Sequence, residues 1–311
     1  ALNRGKRSIA LDLKTSEGPT LLRRLCARAD VLIEGFRPGV LARLGCAPDT
    51  LAAEFPRLIV CSLTGFGQTG PLRDRAGHDI GYLAASGVLS RFGSGDLPAF
   101  PGAQIADFFA GGLQSVVAVL AALVERNSTG RGRFLDVAMC EGAMQAVFPR
   151  MADASSEDML GGDRPCYRVY ACRGGGAIAL GALEPKFWHR FCAAVARPEW
   201  EGRQFDASLC TAVDELFLER NRDEWAALLG PADCCAEPVL TLAELRTHPQ
   251  HRARMLWLPD DRPRTVPALV PTEHLPARGA PLHGEHSAEV LREAGLTDGE
   301  IAALRNSGAV Q

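Results

Sequence analysis

One histidine and one aspartate stand out in this chain by where they fall. His78 opens the segment HDIGYLAASGVL and Asp107 opens DFFAGGLQSVVAVLAALVERN, two stretches whose apolar residues recur at helical spacing. In the first, Ile80, Leu83, Ala84 and Leu89 share a side; in the second, Phe108, Phe109, Leu113, Val116, Val117, Leu120 and Val124 do. The positive end of a helix dipole disfavours a further positive charge, so an imidazole placed there suits a base. Asp107 is expected at the N-cap of its helix, where capping alone, worth about 1 kcal/mol, would explain it. Packing or solvation would equally explain a lone histidine. Residue type alone leaves both readings open, and the chemical one is a pair of proton-handling groups facing one substrate.

The elements that would hold such a pair are those of an α/β protein. RSIALDL (Arg7–Leu13) reads as a strand, LLRRLCARA as a helix, and ADVLIEGF as a strand, which is the pattern of a parallel βαβ unit. Short helices at 39–44 and 50–55 follow, then the buried strand RLIVCSLT, and after Gly130–Gly132 the strand and helix RFLDVAMCEGAM. Ser155–Pro165 is polar and glycine-containing, a domain boundary by composition. Beyond it, CYRVYACRGGGAIALGAL reads as a hairpin and EPKFWHRFCAAVARP as a helix, followed by helices at 211–220 and 222–229, a strand in CCAEPVL and a helix at 242–247. The expected organisation is a large α/β domain over 1–155, a small α+β domain over 165–270, and a segment 281–311, with a helix at 287–306, returning to the large domain. Arg254–Pro281 reads as extended and proline-rich.

Ligands of parallel sheets sit at the carboxyl ends of strands. Arg37, in a Gly/Pro-bounded loop at such an end, and Arg43, one short helix later, are candidates for phosphate contacts. GFGQTG (Gly65–Gly70) matches GxGxxG after a strand, but a dinucleotide site also needs a helix opening at the third glycine, and Pro71–Arg75 is loop chemistry. Glu184 precedes Pro185 at a helix start, where both residues have a sufficient structural reason.

Composition narrows the classes. The chain has 311 residues, 47% apolar and 23% charged, as in an ordinary soluble globular protein. With 34 basic against 37 acidic residues and a net charge of -3, it offers no field for general nucleic-acid binding. Ten scattered cysteines in apolar patterns point to reduced thiols and a cytoplasmic setting, and adjacent Cys234 and Cys235 lack the spacing of a metal site. No signal peptide opens the sequence, and the longest apolar run, Val116–Val124, is far short of the roughly 20 residues a membrane span needs.

Taken together, NRGKRSIALDLK, DVLIEGFRPGVLARLG, PRLIVCSLTGFGQTGP, AGHDIGYLAASGVLS, ADFFAGGL, GALEPKFW and GEHSAEVL resemble, in order and over essentially the whole chain, the CaiB/BaiF class III CoA-transferase superfamily. Within it the likeness is greatest to the racemases of 2-methylacyl-CoA thioesters. The resemblance implies a Rossmann-like, CoA-binding large domain, a smaller α+β domain and an interlocked homodimer. It implies acid/base roles for His78 and Asp107, with Glu184 supporting the histidine. CoA contacts are implied for Arg37, Arg43, the stretch Ala10, Leu11, Asp12 and Leu13, and the backbone of Gly77, Asp79, Ile80, Gly81 and Tyr82. The substrate implied is an acyl-CoA thioester; no metal, separate cofactor, nucleic acid or membrane is implied.

Deprotonating carbon beside a thioester needs a base on one face, an acid on the other, and N–H groups for the enolate oxygen, which the two helix starts would supply. Asp107 also matches the nucleophilic aspartate of the family's transferases, so transfer of CoA between carboxylic acids through an aspartyl intermediate is the alternative. The GHD and LEP contexts of His78 and Glu184 favour the racemase. Family members carry further residues ahead of the NRGKRS motif, so part of the large domain is expected to be missing from this sequence. Position 81 is Gly where the racemases commonly have Asn. These two departures motivate a third reading, a non-catalytic acyl-CoA-binding remnant.

Overall fold

The computed structural model describes residues 2–93, 97–152, 157–254 and 279–311. The chain divides into two compact units, Ala1–Val147 with Leu269–Gln311, and Phe148–Ala268. In the first unit three strands, β1 (Val31–Glu34), β2 (Ile59–Thr64) and β3 (Phe134–Ala138), form a parallel sheet in that order. Val31 lies opposite Ile59 and Val60 opposite Phe134. Ile59, Val60, Cys61, Ser62 and Thr64 of the central strand are all buried, as the uninterrupted apolar run requires of a strand covered on both faces.

Helices α1 (Gly18–Cys26), α2 (Val40–Arg43) and α3 (Pro48–Glu54) connect β1 and β2 to what precedes them; Cys26, Leu41, Cys46, Leu51, Leu58 and Val60 pack together there. After β2 come α4 (Asp79–Ala85) and α5 (Ala106–Thr129), the latter beginning as a π-helix over Ala106–Leu113; α6 (Met139–Met144) follows β3. The buried side of α4 is Asp79, Tyr82 and Leu83, while Ile80 is exposed, so the expected apolar face is rotated.

Helix α5 corrects the short-run reading of Val116–Val124. It is 24 residues long and holds an 18-residue stretch of mean hydropathy 1.8, long and apolar enough by length and composition to cross a bilayer. Yet α5 packs on β2 and β3, and near its end the buried Arg126 donates to the Asp30 carboxylate (2.8 Å) and to the Arg57 carbonyl (3.0 Å). A guanidinium fixed to the sheet's own loops belongs to a helix of a folded unit. The opposite side of α5 is an exposed apolar stripe through Phe109, Leu113, Val117, Leu120 and Val124.

The first strand of the βαβ unit expected at Arg7–Leu13 is not in the sheet. Leu11 instead makes an isolated antiparallel bridge with Val310, and Asp12 N–H donates to the Ala309 carbonyl (3.0 Å). The reason is a competing partner from the far end of the chain.

The second unit has its own antiparallel sheet, β4 (Tyr167–Ala171), β5 (Ala177–Gly181) and β6 (Ala236–Pro238), with helices α7 (Pro185–Ala194), α8 (Cys210–Phe217) and α9 (Arg222–Leu229). Its core is aromatic: Tyr170 stacks on Phe217 with centroids 4.7 Å apart, among buried Trp188, Phe191 and Trp225. Each buried polar handle is satisfied, Trp188 Nε1–H by the Trp200 carbonyl (2.9 Å) and Tyr170 O–H by the Pro165 carbonyl (2.7 Å). The segment expected at 242–247 is a single 3-10 turn, Glu244–Arg246. Most of the proline-rich stretch 254–281 lies outside the described residues.

The last segment returns to the first unit as two helices, α10 (Ser287–Glu293) and α11 (Asp298–Asn306), where one was expected. Gly295, at φ 87°, ends the first, and Thr297 with Glu300 forms a reciprocal capping box that starts the second. Leu291, Leu296, Ile301 and Val310 pack with Leu21 of α1, and Arg7 forks onto Glu293 (2.6 and 2.9 Å).

Candidate active site

A cavity of about 400 Å³ opens at the carboxyl ends of the parallel strands. The loop after β1 brings Phe36, Arg37 and Pro38, the end of β2 brings Leu63, Thr64, Gly65 and Phe66, and the approach to α4 brings Arg73, Arg75, Gly77, His78 and Tyr82. Three arginines among the lining residues make it suited to phosphate groups. The GxGxxG loop takes part for a reason unrelated to dinucleotides. A Cβ on Gly65 would lie 2.2 Å from Tyr82 Cε1, and one on Gly77 2.5 Å from the same atom. The two glycines thus let the Tyr82 ring lie against the backbone, edge-on to Phe66 at 5.2 Å. No helix opens before Asp79, so the dinucleotide fingerprint is incomplete in space as in sequence.

A second cavity of about 250 Å³ is lined by His78, Asp79, Ile80, Phe100, Pro101, Ala103, Gln104 and Asp107. His78 lines both the arginine-lined cleft and the smaller chamber, so the two adjoin at this residue. His78 is the N-cap of α4 in extended backbone conformation, and its side chain makes no capping bond, which leaves the ring to the cavities.

Asp107 is not an N-cap. Ile105 holds that position and Asp107 is the second residue of the π-helical turn. The capping role is filled from another element: Asp79 Oδ2 accepts the Asp107 backbone N–H at 2.8 Å. This removes the purely structural explanation for the Asp107 side chain. It also corrects the expectation that both helix starts offer N–H groups to an enolate, because the one at residue 107 is occupied. The N–H groups of Asp79 and Ile80, in the first turn of α4, have no intrahelical acceptor, and both residues line the smaller chamber.

Asp107 is exposed, yet partial desolvation by its neighbours raises its carboxyl above the usual aspartate value; the Asp79 charge pushes the same way and His78 opposes it. Burial likewise raises the Tyr82 hydroxyl, with Asp107 adding to the rise and Arg37 opposing it. Tyr82 therefore lies within electrostatic reach of both the phosphate-suited wall and the acid. Two titratable side chains lining one chamber suit removal and return of a proton at a small carbon centre.

The remaining sequence candidates fall elsewhere. Arg43 is exposed on α2 and folds back toward its loop, since a Cβ on Gly39 would meet Arg43 Nη1 at 3.3 Å. Ala10, Leu11 and Asp12 line a separate cavity of about 350 Å³ with Ile9, His283 and Gln311. Leu13 and Gly81 line none of these three, and a Cβ on Gly81 would meet nothing within 4 Å. Glu184 is exposed at the N-cap of α7 in the second unit. Arg73 and Arg75 were passed over as loop residues; their signal was a basic pair three to five residues before His78. All ten cysteines are free, and burial pushes the Cys26 thiol up to about 11 and the Cys192 thiol to about 12, against a nucleophilic use. Among the described residues no cluster of three or more His, Cys, Asp or Glu is placed to hold a metal ion.

Over its whole length the chain is 38% identical to alpha-methylacyl-CoA racemase of Mus musculus and 36% identical to that of Homo sapiens, covering 86% of each. A solved structure of a CaiB/BaiF family protein from Brucella suis matches with a TM-score of 0.77 at 29% identity, over 94% of this chain and 83% of that one. The model of CoA-transferase family III matches residues 1–287, and the chain belongs to that family.

Proposed function

We propose that this protein is a racemase of 2-methylacyl-CoA thioesters, moving a proton between the two faces of the α-carbon by way of an enolate. The observation that carries the reading is that His78 and Asp107 line one chamber, which meets the arginine-lined cleft at His78. In this reading Arg37, Arg73 and Arg75 receive the phosphates of CoA, and the apolar wall of Ile80, Phe100, Pro101 and Ala103 receives the acyl group. CoA enters only as part of the substrate.

His78 and Asp107 trade roles as base and acid, so that each enantiomer is deprotonated by one and the enolate reprotonated by the other. The raised Asp107 carboxyl suits a group that must hold a proton for part of each turnover. N–H groups at the start of α4 receive the enolate oxygen. By the family resemblance Glu184 supports His78, and Ala10–Leu13 with Arg43 adds to CoA binding.

The exposed apolar stripe of α5 supports a homodimer, because a contiguous apolar face of that length on a folded protein marks an interface. Ten free cysteines support a reducing, cytoplasmic setting, and the Arg126 anchor favours a helix that does not enter a membrane.

The test is solvent deuterium: folded protein incubated with a 2-methylacyl-CoA in D2O, without any carboxylic acid acceptor, incorporates deuterium at the α-carbon. A transferase, the second reading that the family and the exposed Asp107 carboxyl keep in view, instead needs the acceptor and gives a hydroxylamine-sensitive adduct at Asp107. Binding of CoA with neither outcome would mark a non-catalytic protein.

A further inference from the structure

The smaller chamber contains a second aspartate that proton transfer as described does not use. Asp79 is buried, at 9% exposure, although it adjoins a cavity, and its carboxylate is turned toward the start of α5. A buried carboxylate is costly unless its charge is satisfied, and here Oδ2 accepts one of the orphan N–H groups of a helix start. The acceptor comes from α4 and the donor from α5, so the bond ties together the two elements that carry His78 and Asp107. Resting on the racemase reading, we propose that Asp79 is a positioning residue: it fixes the backbone at Asp107 and, through its charge, sets how readily the Asp107 carboxyl holds the proton it transfers.

The groups surrounding Asp107 make this specific. From α4 it faces His78, Asp79 and Tyr82. The 97–105 stretch contributes Phe100, Pro101, Ala103 and Gln104, none of them charged. Helix α6, packed on the same turn, carries Cys140, kept neutral by burial, and the exposed Glu141. Cys61 on β2 and Asp136 on β3 complete the titratable groups of the packed strands, and Asp136 already accepts the Gln68 N–H at 3.0 Å. Among the described residues, Asp79 is thus the carboxylate that acts on Asp107, in favour of its protonated form, and His78 is the group that opposes it.

The decisive variant is Asp79→Asn, whose amide oxygen can still accept the N–H while the charge is gone. Carboxyl carbon NMR, with the Asp107 signal identified by its loss in Asp107→Asn, reads the titration directly. The midpoint of Asp107 moves to lower pH in Asp79→Asn, and the matching limb of the exchange-rate profile moves with it; an unmoved or higher midpoint overturns the proposal. Asp79→Ala leaves the N–H unpaired and lets the turn shift, so kcat for α-proton exchange falls about ten- to a hundredfold with KM within roughly twofold. Wild-type kcat in a folded Asp79→Ala protein would also overturn it. Should the wild type exchange no α-proton, the racemase reading fails, while the NMR titration still decides the role of Asp79.

Discussion

Gly65→Ala tests the packing that places His78. The backbone at Gly65 lies outside the left-handed region, so an alanine there is costly only through its methyl group. That methyl would sit 2.2 Å from Tyr82 Cε1, and the ring must retreat by roughly 1.2 Å to reach an ordinary contact of 3.4 Å. Gly77 blocks retreat on one side and Phe66 on another, so the first turn of α4 must move with the ring. Overpacking of this kind costs about 1–3 kcal/mol, which speeds local opening of α4 about 5- to 150-fold. Tryptophan fluorescence is unsuitable, because Trp188, Trp200 and Trp225 belong to the second unit and the fourth tryptophan, Trp257, lies outside the described residues. Native-state hydrogen exchange of the amides of residues 81–86 reads the right element. In a Tyr82→Ala background the methyl has room, and the same substitution there changes exchange by less than about twofold. An equal effect of Gly65→Ala in both backgrounds would refute the packing argument.

Arg73→Ala and Arg75→Ala each raise KM for acyl-CoA with little change in kcat, and the double variant shows a shallower dependence of KM on salt; steady-state kinetics at two ionic strengths checks this, and unchanged KM would remove both from the phosphate wall. Val117→Glu places a charge at the middle of the exposed α5 stripe and shifts the protein toward monomer in sedimentation velocity, whereas an unchanged oligomeric state would show that the stripe is not the interface. Asp107→Asn separates charge from shape in stability. Because the folded protein holds the Asp107 proton more tightly than the unfolded chain, this group favours folding at acid pH and loses that contribution as pH rises through its raised value. The Asn variant is therefore the more stable protein toward urea at neutral pH, with the gap closing as pH falls; a constant gap would contradict the raised carboxyl.

Much of the fold was legible because its signals are local. The runs that became β1, β2 and β3 are short and rich in apolar and β-branched residues, and Arg222–Leu229 is opened by its own capping box of Asn221 and Glu224. What sequence could not show lies in contacts from distant segments. Arg7–Leu13 has strand composition, yet its partners are residues 309–311 across nearly the whole chain. An aspartate before an apolar run is expected at the N-cap position; nothing in the run reveals that the π-helical turn begins after Ile105 or that Asp79 caps it from α4. His78 and Asp107 were singled out by type and position, but that they share a chamber is a fact of three dimensions. Arg73 and Arg75 looked like solvated loop residues, since only the return of that loop over the ends of β1 and β2 gives them a cavity to line.

Deuterium exchange with each enantiomer of a 2-methylacyl-CoA, taken separately, tests the two-base reading most directly. Wild type incorporates solvent deuterium at the α-carbon of both hands and interconverts them without any acceptor acid. His78→Ala and Asp107→Asn each lose interconversion by at least about a hundredfold, and each retains exchange with one hand only, the opposite hand in the two variants. Exchange absent from folded wild-type protein, or interconversion surviving in Asp107→Asn, would contradict the account.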